Sequence, residues 1–93
     1  GILVDCSHDN SGKKPERHPQ VLGEVIQQLE GGVPSIVGVM IESQLVAGAQ
    51  KPGPRSELIY GMSITDGCVD LSTTETMLSE LAHAARRRRV RAA

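Results

Sequence analysis

ILVDCSHDN, residues 2–10, passes from a compact apolar run into a crowded polar tip with no turn residue between. β-Branched at Ile2 and Val4 and nearly continuous in hydrophobicity, residues 2–6 read as a strand covered on both faces, the pattern of parallel sheets. The same reading applies to SIVGVMIE, residues 35–42, which follows Pro34 and runs into Glu42, Ser43 and Gln44. Between the two, Val21, Leu22, Val25, Ile26 and Leu29 recur at helical spacing and leave glutamines and glutamates on the other side. Pro19 suits the first turn of that helix and Gly31 the position just past its last, while Gly23 weakens it slightly. Two parallel strands need a crossover of this kind, so the fold class is α/β with the order strand, helix, strand.

From Ser43 to Leu71 no long periodic pattern appears, and KPGPR (51–55) marks a turn in the middle. Stretches of this length without a helix tend to be functional or mobile. QLVAGAQ (44–50) and ELIYGMSI (57–64) are expected to pair as a short hairpin across that turn. A last helix opens at STTE, where Ser72 and Glu75 have capping-box spacing, and Met77, Leu78, Leu81 and Ala85 carry its apolar stripe. It closes on Arg86 to Arg89 and Arg91. No solenoid-type repeat or low-complexity linker is present.

The chain has 93 residues, room for one small domain with a modest core. Its formal charge is −1, so no global field draws it to nucleic acid or an acidic surface, and any anion site must be local. Tyr60 is the one aromatic residue, which argues against base-stacking nucleic-acid modules. The apolar runs are too short to cross a bilayer and the first residues carry no signal-peptide pattern, so a soluble, cytoplasmic protein is expected. Cys6 and Cys68, far apart in such a chain, are expected as thiols rather than a bridge. Gly1 stands directly before an apolar strand, and a domain seldom opens on its most buried element, so the chain is expected to be part of something larger.

His8 stands just past the first strand and Glu42 at the end of the second, and successive parallel strand ends lie side by side. Asp66, in SITDGC (63–68), precedes the final helix at the same edge. One imidazole and two carboxylates form a mixed nitrogen and oxygen set suited to a divalent first-row metal such as manganese, iron or zinc, with a fourth ligand or water completing it. The alternative is that His8 caps the strand-to-loop turn, Glu42 is solvated and Asp66 helps to cap a helix.

DCSHDNSGK (5–13), GVMIESQLVAGAQ (38–50) and YGMSITDGCVD (60–70) resemble, in order and spacing, the carboxyl-terminal segments of class I 3-deoxy-D-arabino-heptulosonate 7-phosphate (DAHP) synthases. The resemblance covers essentially the whole chain. It implies the last two strand–helix units, seven and eight, of a TIM (β/α)8 barrel, with residues 1–93 a single partial domain. It implies an enzyme condensing phosphoenolpyruvate with erythrose 4-phosphate at a divalent metal, Mn, Fe, Co or Zn, with His8, Glu42 and Asp66 as three of the ligands. The family's remaining ligand is an upstream cysteine that neither Cys6 nor Cys68 matches, and the upstream lysines and arginines that hold the substrate phosphates are likewise outside the chain. The isolated segment is therefore expected to be inactive and to form a homo-oligomer or rely on the remainder of a parent chain.

His8, beside the metal, is also a candidate for handling protons, and Lys13, a lysine in family members too, for assisting an anionic substrate; the alternative for Lys13 is a solvated loop lysine beside Lys14. Asn10 and Ser11 suit turn hydrogen bonds. Cys68 reads as a small buried hydrophobe, the alternative being a thiol that takes up adventitious metal or oxidises if exposed. Two rival classes remain: a non-catalytic remnant that self-associates, its sheet edges exposed, and an interaction module built on RRRRVR, against which stands the ordinary preference for cations at a helix's carboxyl end.

Overall fold

Residues 1–92 are described by a computed structural model, with side chains through Arg89. Strand β1 spans Ile2–Asp5, helix α1 His18–Glu30, strand β2 Ile36–Met40 and helix α2 Leu71–Ala92. The two strands are parallel, with Leu3 opposite Gly38, Val4 opposite Val39 and Asp5 opposite Met40. The ladder shifts register between Ile2 and Leu3. Beyond β1, the Cys6 N–H donates to the Met40 carbonyl at 2.9 Å, so the pairing extends to where the polar tip begins.

Helix α1 forms as its periodicity predicts. Val21, Leu22, Val25 and Leu29 are buried, Pro19 sits in the first turn, and Ile26 is half-buried. Its end falls as expected, with Gly31 just past the last helical residue; Gly31 has helical dihedrals, and the left-handed residue that follows is Gly32, at φ +87°. The Val33 N–H then reaches back to the Gln28 carbonyl at 3.1 Å and Gly32 to Leu29 at 3.1 Å, the pairing of a Schellman ending.

Helix α2 departs from expectation in its start and its face. It begins at Leu71, and the carboxylate of Asp70 accepts the Thr73 N–H at 2.8 Å, so Asp70 and not Ser72 is the cap. The stripe facing the core is Met77 and Ala84, both buried, with half-buried Leu81, whereas Leu78 is 52% exposed and Ala85 is exposed. Ala84, fully buried, lets α2 approach α1 closely. On the same stripe Arg88 donates to the Ile36 carbonyl at 2.8 Å, and the neighbouring Arg87 pairs with Glu30 at the end of α1. Part of the arginine run thus ties α2 to α1 and β2; the side chain of Arg91 lies outside the described residues.

Both helices cover one face of the sheet. One core cluster joins Cys6, Val21, Leu22, Val69 and Met77, the other Val25, Leu29, Ile36 and Ala84, and half-buried Ile26, Val39 and Leu81 pack against both. Leu3, Val37 and Met40, pointing the other way, are exposed. Both cysteines are free and buried. No helix among the described residues is long and apolar enough to cross a membrane.

The segment between β2 and α2 is not the expected hairpin. Its two stretches are joined by a parallel bridge, Ala49 with Ser63, and by the Val46 N–H donating to the Gly61 carbonyl at 3.0 Å. The side-chain amide of Gln50 explains the geometry: it donates to the Ile59 and Met62 carbonyls at 2.8 and 3.0 Å and accepts the Ile59 N–H at 2.8 Å. These bonds gather residues 59–62 into a turn at a place where an antiparallel ladder would have to run straight.

Candidate metal centre

The polar tip of β1 is shaped by backbone constraint. His8 has φ +49°, a left-handed conformation costly for a non-glycine residue and held here by its surroundings. A single 3-10 turn, His8–Ser11, follows and is closed by Gly12 at φ +63°. The Ser11 hydroxyl donates to the His8 carbonyl at 3.1 Å, and the Asn10 amide donates to the Asp5 carbonyl at 2.7 Å, so both perform the expected turn roles.

This turn aims the His8 ring between three carboxylates. Its Nδ1 lies 2.7 Å from Asp5 Oδ2, while Nε2 lies 3.1 Å from Asp66 Oδ2 and 3.4 Å from Glu42 Oε1. Asp5 is fixed in turn by Ser7, whose N–H donates to Oδ1 at 2.8 Å and whose hydroxyl also bonds Oδ1. Burial pushes the Asp5 carboxyl up, but the hydrogen bonds from Ser7 and His8 outweigh it and hold the group below its ordinary value. The His8 imidazole is held above its ordinary value, first by the hydrogen bond to Asp5, then by that to Asp66.

Glu42 and Asp66 are brought together by pairing beyond the strands. The Val69 N–H donates to the Glu42 carbonyl at 3.0 Å and the Gln44 N–H to Val69 at 2.9 Å, which seats the loop before α2 on the end of β2. Gly48 and Cys68 exchange two bonds of 2.8 and 3.1 Å, and the Ser63 hydroxyl accepts the Thr65 N–H at 3.1 Å. Asp66 is therefore anchored on both sides. At Gly67 the chain crosses Pro15 so closely that a Cβ would stand 2.9 Å from its Cδ, so only glycine fits without displacement.

The result is one nitrogen and two carboxylate oxygens, from His8, Glu42 and Asp66, all within 4.8 Å of one another. A first-row cation bound at about 2.0–2.2 Å spaces its donors roughly 3–3.5 Å apart, and the two His8 separations fall in that range. With a cation in the site in place of the Nε2 proton, Nδ1–H on Asp5 would leave the Nε2 lone pair to the cation, the orientation that a carboxylate-supported histidine ligand adopts. The donor set fits a divalent cation.

Lys13, at φ +62°, and His18 line the same cleft of about 200 Å³, with Thr65 and Gly67. No hydrogen bond or ion pair engages the Lys13 ammonium among the described residues. The sequence reading passed over Asp5, Ser7 and His18. A signal existed for Asp5, a carboxylate inside an apolar strand three residues before a histidine; for His18 the signal is its place on the apolar stripe of α1, three and four residues before Val21 and Leu22, which marks burial but not the cleft.

Parallel strands joined by a helix, with a histidine and two carboxylates gathered past their carboxyl ends, define an α/β protein whose strand tips carry a donor set that could hold a cation. Comparison with known proteins is specific: the DAHP synthetase I family matches residues 1–79, and the chain belongs to that family. It is 50% identical over 90 residues to a phospho-2-dehydro-3-deoxyheptonate aldolase of Alternaria alternata, covering 95% of this chain and 24% of that protein. A tyrosine-inhibited phospho-2-dehydro-3-deoxyheptonate aldolase of Candida albicans is 49% identical over 92 residues, covering 95% of this chain and 25% of the relative. The structure of the phospho-2-dehydro-3-deoxyheptonate aldolase from Francisella tularensis superposes with a TM-score of 0.88 at 44% identity over 94% of this chain and 25% of that one. The chain thus spans about a quarter of the length of these relatives.

Proposed function

We propose that residues 1–93 form the seventh and eighth strand–helix units of a TIM (β/α)8 barrel and supply His8, Glu42 and Asp66 to its divalent metal site. The whole enzyme would condense phosphoenolpyruvate with erythrose 4-phosphate, consuming one water and releasing inorganic phosphate and the seven-carbon DAHP. The observation that carries the reading is the meeting of three donors remote in sequence within 4.8 Å, in a chain of the DAHP synthetase I family.

The cation, Mn, Fe, Co or Zn, supplies Lewis acidity for an aldehyde oxygen when bound. What the chain itself contributes is orientation and charge. Asp5 holds His8 Nδ1–H and so fixes which nitrogen faces the cleft. Neutral imidazole with two carboxylates brings a +2 ion near neutrality, which keeps it able to take an uncharged carbonyl. With Nδ1 on Asp5 and Nε2 at the site, both nitrogens of His8 are engaged, which favours the ligand role over proton handling. Lys13, on the cleft wall without an ion-pair partner among the described residues, is placed to attract an anionic substrate.

Substitution of Glu42→Gln or Asp66→Asn in the intact protein should abolish phosphate release from phosphoenolpyruvate and erythrose 4-phosphate in the presence of Mn²⁺. Full activity in both variants would refute the ligand assignment. The 93-residue segment alone should release no phosphate in the same assay; robust turnover by it would refute the partial-barrel reading.

A further inference from the structure

His18 combines two properties that normally exclude one another. It is 1% exposed, and its Nδ1 is buried with no hydrogen-bond partner among the described residues. It also lines the cleft that holds His8, Glu42 and Asp66. Buried side-chain nitrogens are almost always paired, with protein or with ordered water, and one left unpaired costs about 1–3 kcal/mol in general. Such a nitrogen, in a residue that lines a cleft with a cation-type donor set, points to a ligand.

His18 does not join the donors that lie within 4.8 Å of one another, so it is not a fourth ligand of the set. Burial lowers its basicity, although the carboxylates of Glu42 and Asp5 pull the other way, and the ring is therefore neutral near pH 7. A neutral imidazole offers one donor and one acceptor. The cleft, about 200 Å³, has room for several waters at about 30 Å³ each.

Resting on the metal-centre reading above, we infer that His18 is a positioning residue whose Nδ1 holds an oxygen, a water or a hydroxyl of a bound molecule, in the outer sphere of the cation bound by His8, Glu42 and Asp66. Outer-sphere partners of this kind typically change metal affinity by 10–100-fold when removed.

The test compares the intact wild-type protein with His18→Met, which removes both nitrogens at similar volume, and His18→Gln, which keeps a donor and an acceptor. Free Mn²⁺ measured by electron paramagnetic resonance should show affinity weakened about 10-fold or more in His18→Met and within about 3-fold of wild type in His18→Gln. Without metal, His18→Met should melt no lower than wild type, because it removes an unpaired buried polar atom. Wild-type affinity in His18→Met overturns the inference while leaving the metal reading intact. Absence of Mn²⁺ binding by the wild type overturns both. Should His18→Met not fold, the crystal structure of the Mn²⁺-loaded wild type decides: an ordered water or ligand oxygen within about 3.2 Å of Nδ1 is expected, and a protein atom in that place overturns the inference.

Discussion

Asp5 carries as much of the site's geometry as the residues that face the cleft. Its carboxylate accepts from Ser7 and from His8 Nδ1, so it sets both the tautomer and the tilt of the imidazole. Asp5→Asn should weaken Mn²⁺ binding by about 10-fold or more, read by calorimetric titration, with the far-ultraviolet circular dichroism unchanged. The pH dependence follows from the same contacts. His8, raised by Asp5 and Asp66, contributes stability that is complete below its unfolded value of about 6.5 and is lost as pH climbs through its higher folded value. Asp5, lowered, contributes stability present above its unfolded value of about 3.9 and lost as pH falls through its lower folded value. Metal-free protein should therefore melt at progressively lower temperature above pH 6.5, whereas Mn²⁺, which needs a deprotonated His8, should raise the melting temperature most at the alkaline end. Thermal melts from pH 5 to 9 with and without Mn²⁺ check both slopes; parallel curves would contradict the shared site. His8, Glu42 and Asp66 could be singled out in the sequence because each ends an apolar run or precedes a helix at one sheet edge. His18 could be read only as a core position, since it stands three and four residues before Val21 and Leu22 on the stripe of α1 and nothing in the spacing places its ring at the cleft.

At the scale of elements, local pattern sufficed for β1, α1 and β2 and fell short for α2. Helix α1 has a strong stripe and clear terminators, so its span and buried face follow from spacing. Along α2, by contrast, two overlapping stripes compete: Met77, Leu78, Leu81 and Ala85, or Met77, Leu81 and Ala84 continuing into Arg88. Packing chose the second because small Ala84 admits α1 and Arg88 finds the Ile36 carbonyl, a partner invisible in sequence. Asp70 displaced Ser72 as cap for a related reason, since Thr74 uses its hydroxyl to meet both Ser43 and the Asp70 carbonyl and so fixes where the first turn begins. Two substitutions test this account. Met77→Ala, which empties a side chain only 1% exposed, should destabilise by about 2–5 kcal/mol in chemical denaturation. Gly23→Ala should stabilise by about 0.5–1 kcal/mol, because a Cβ there meets no atom within 4 Å and the residue lies inside α1. A destabilising Gly23→Ala would mean that something outside these residues occupies that surface.

For the whole molecule, the two-layer arrangement leaves the sheet half dressed. Its radius of gyration is 15.3 Å, against about 12 Å for a compact domain of this length, and its longest extent is 55 Å. The helices bury Cys6 and Ile36 and half-bury Val4 and Val39, while Leu3 at 69% and Val37 at 67% exposure stand on the opposite face with Met40. The chain spans about a quarter of its relatives' length, and in the proposed barrel that face would be covered by the remaining strands. Contiguous apolar surface beside open strand edges drives association in water. The 93-residue segment expressed alone should therefore elute as dimers or larger species in size exclusion with light scattering, and bind a hydrophobic dye. Leu3→Lys combined with Val37→Lys should shift it toward monomer while leaving Mn²⁺ affinity of the tip within about 3-fold, because both changes lie on strand positions away from His8, Glu42 and Asp66. A segment that is monomeric and dye-silent without these changes would show that the exposed face is tolerated as it stands, and would remove the argument that the site depends on the rest of a barrel for its setting.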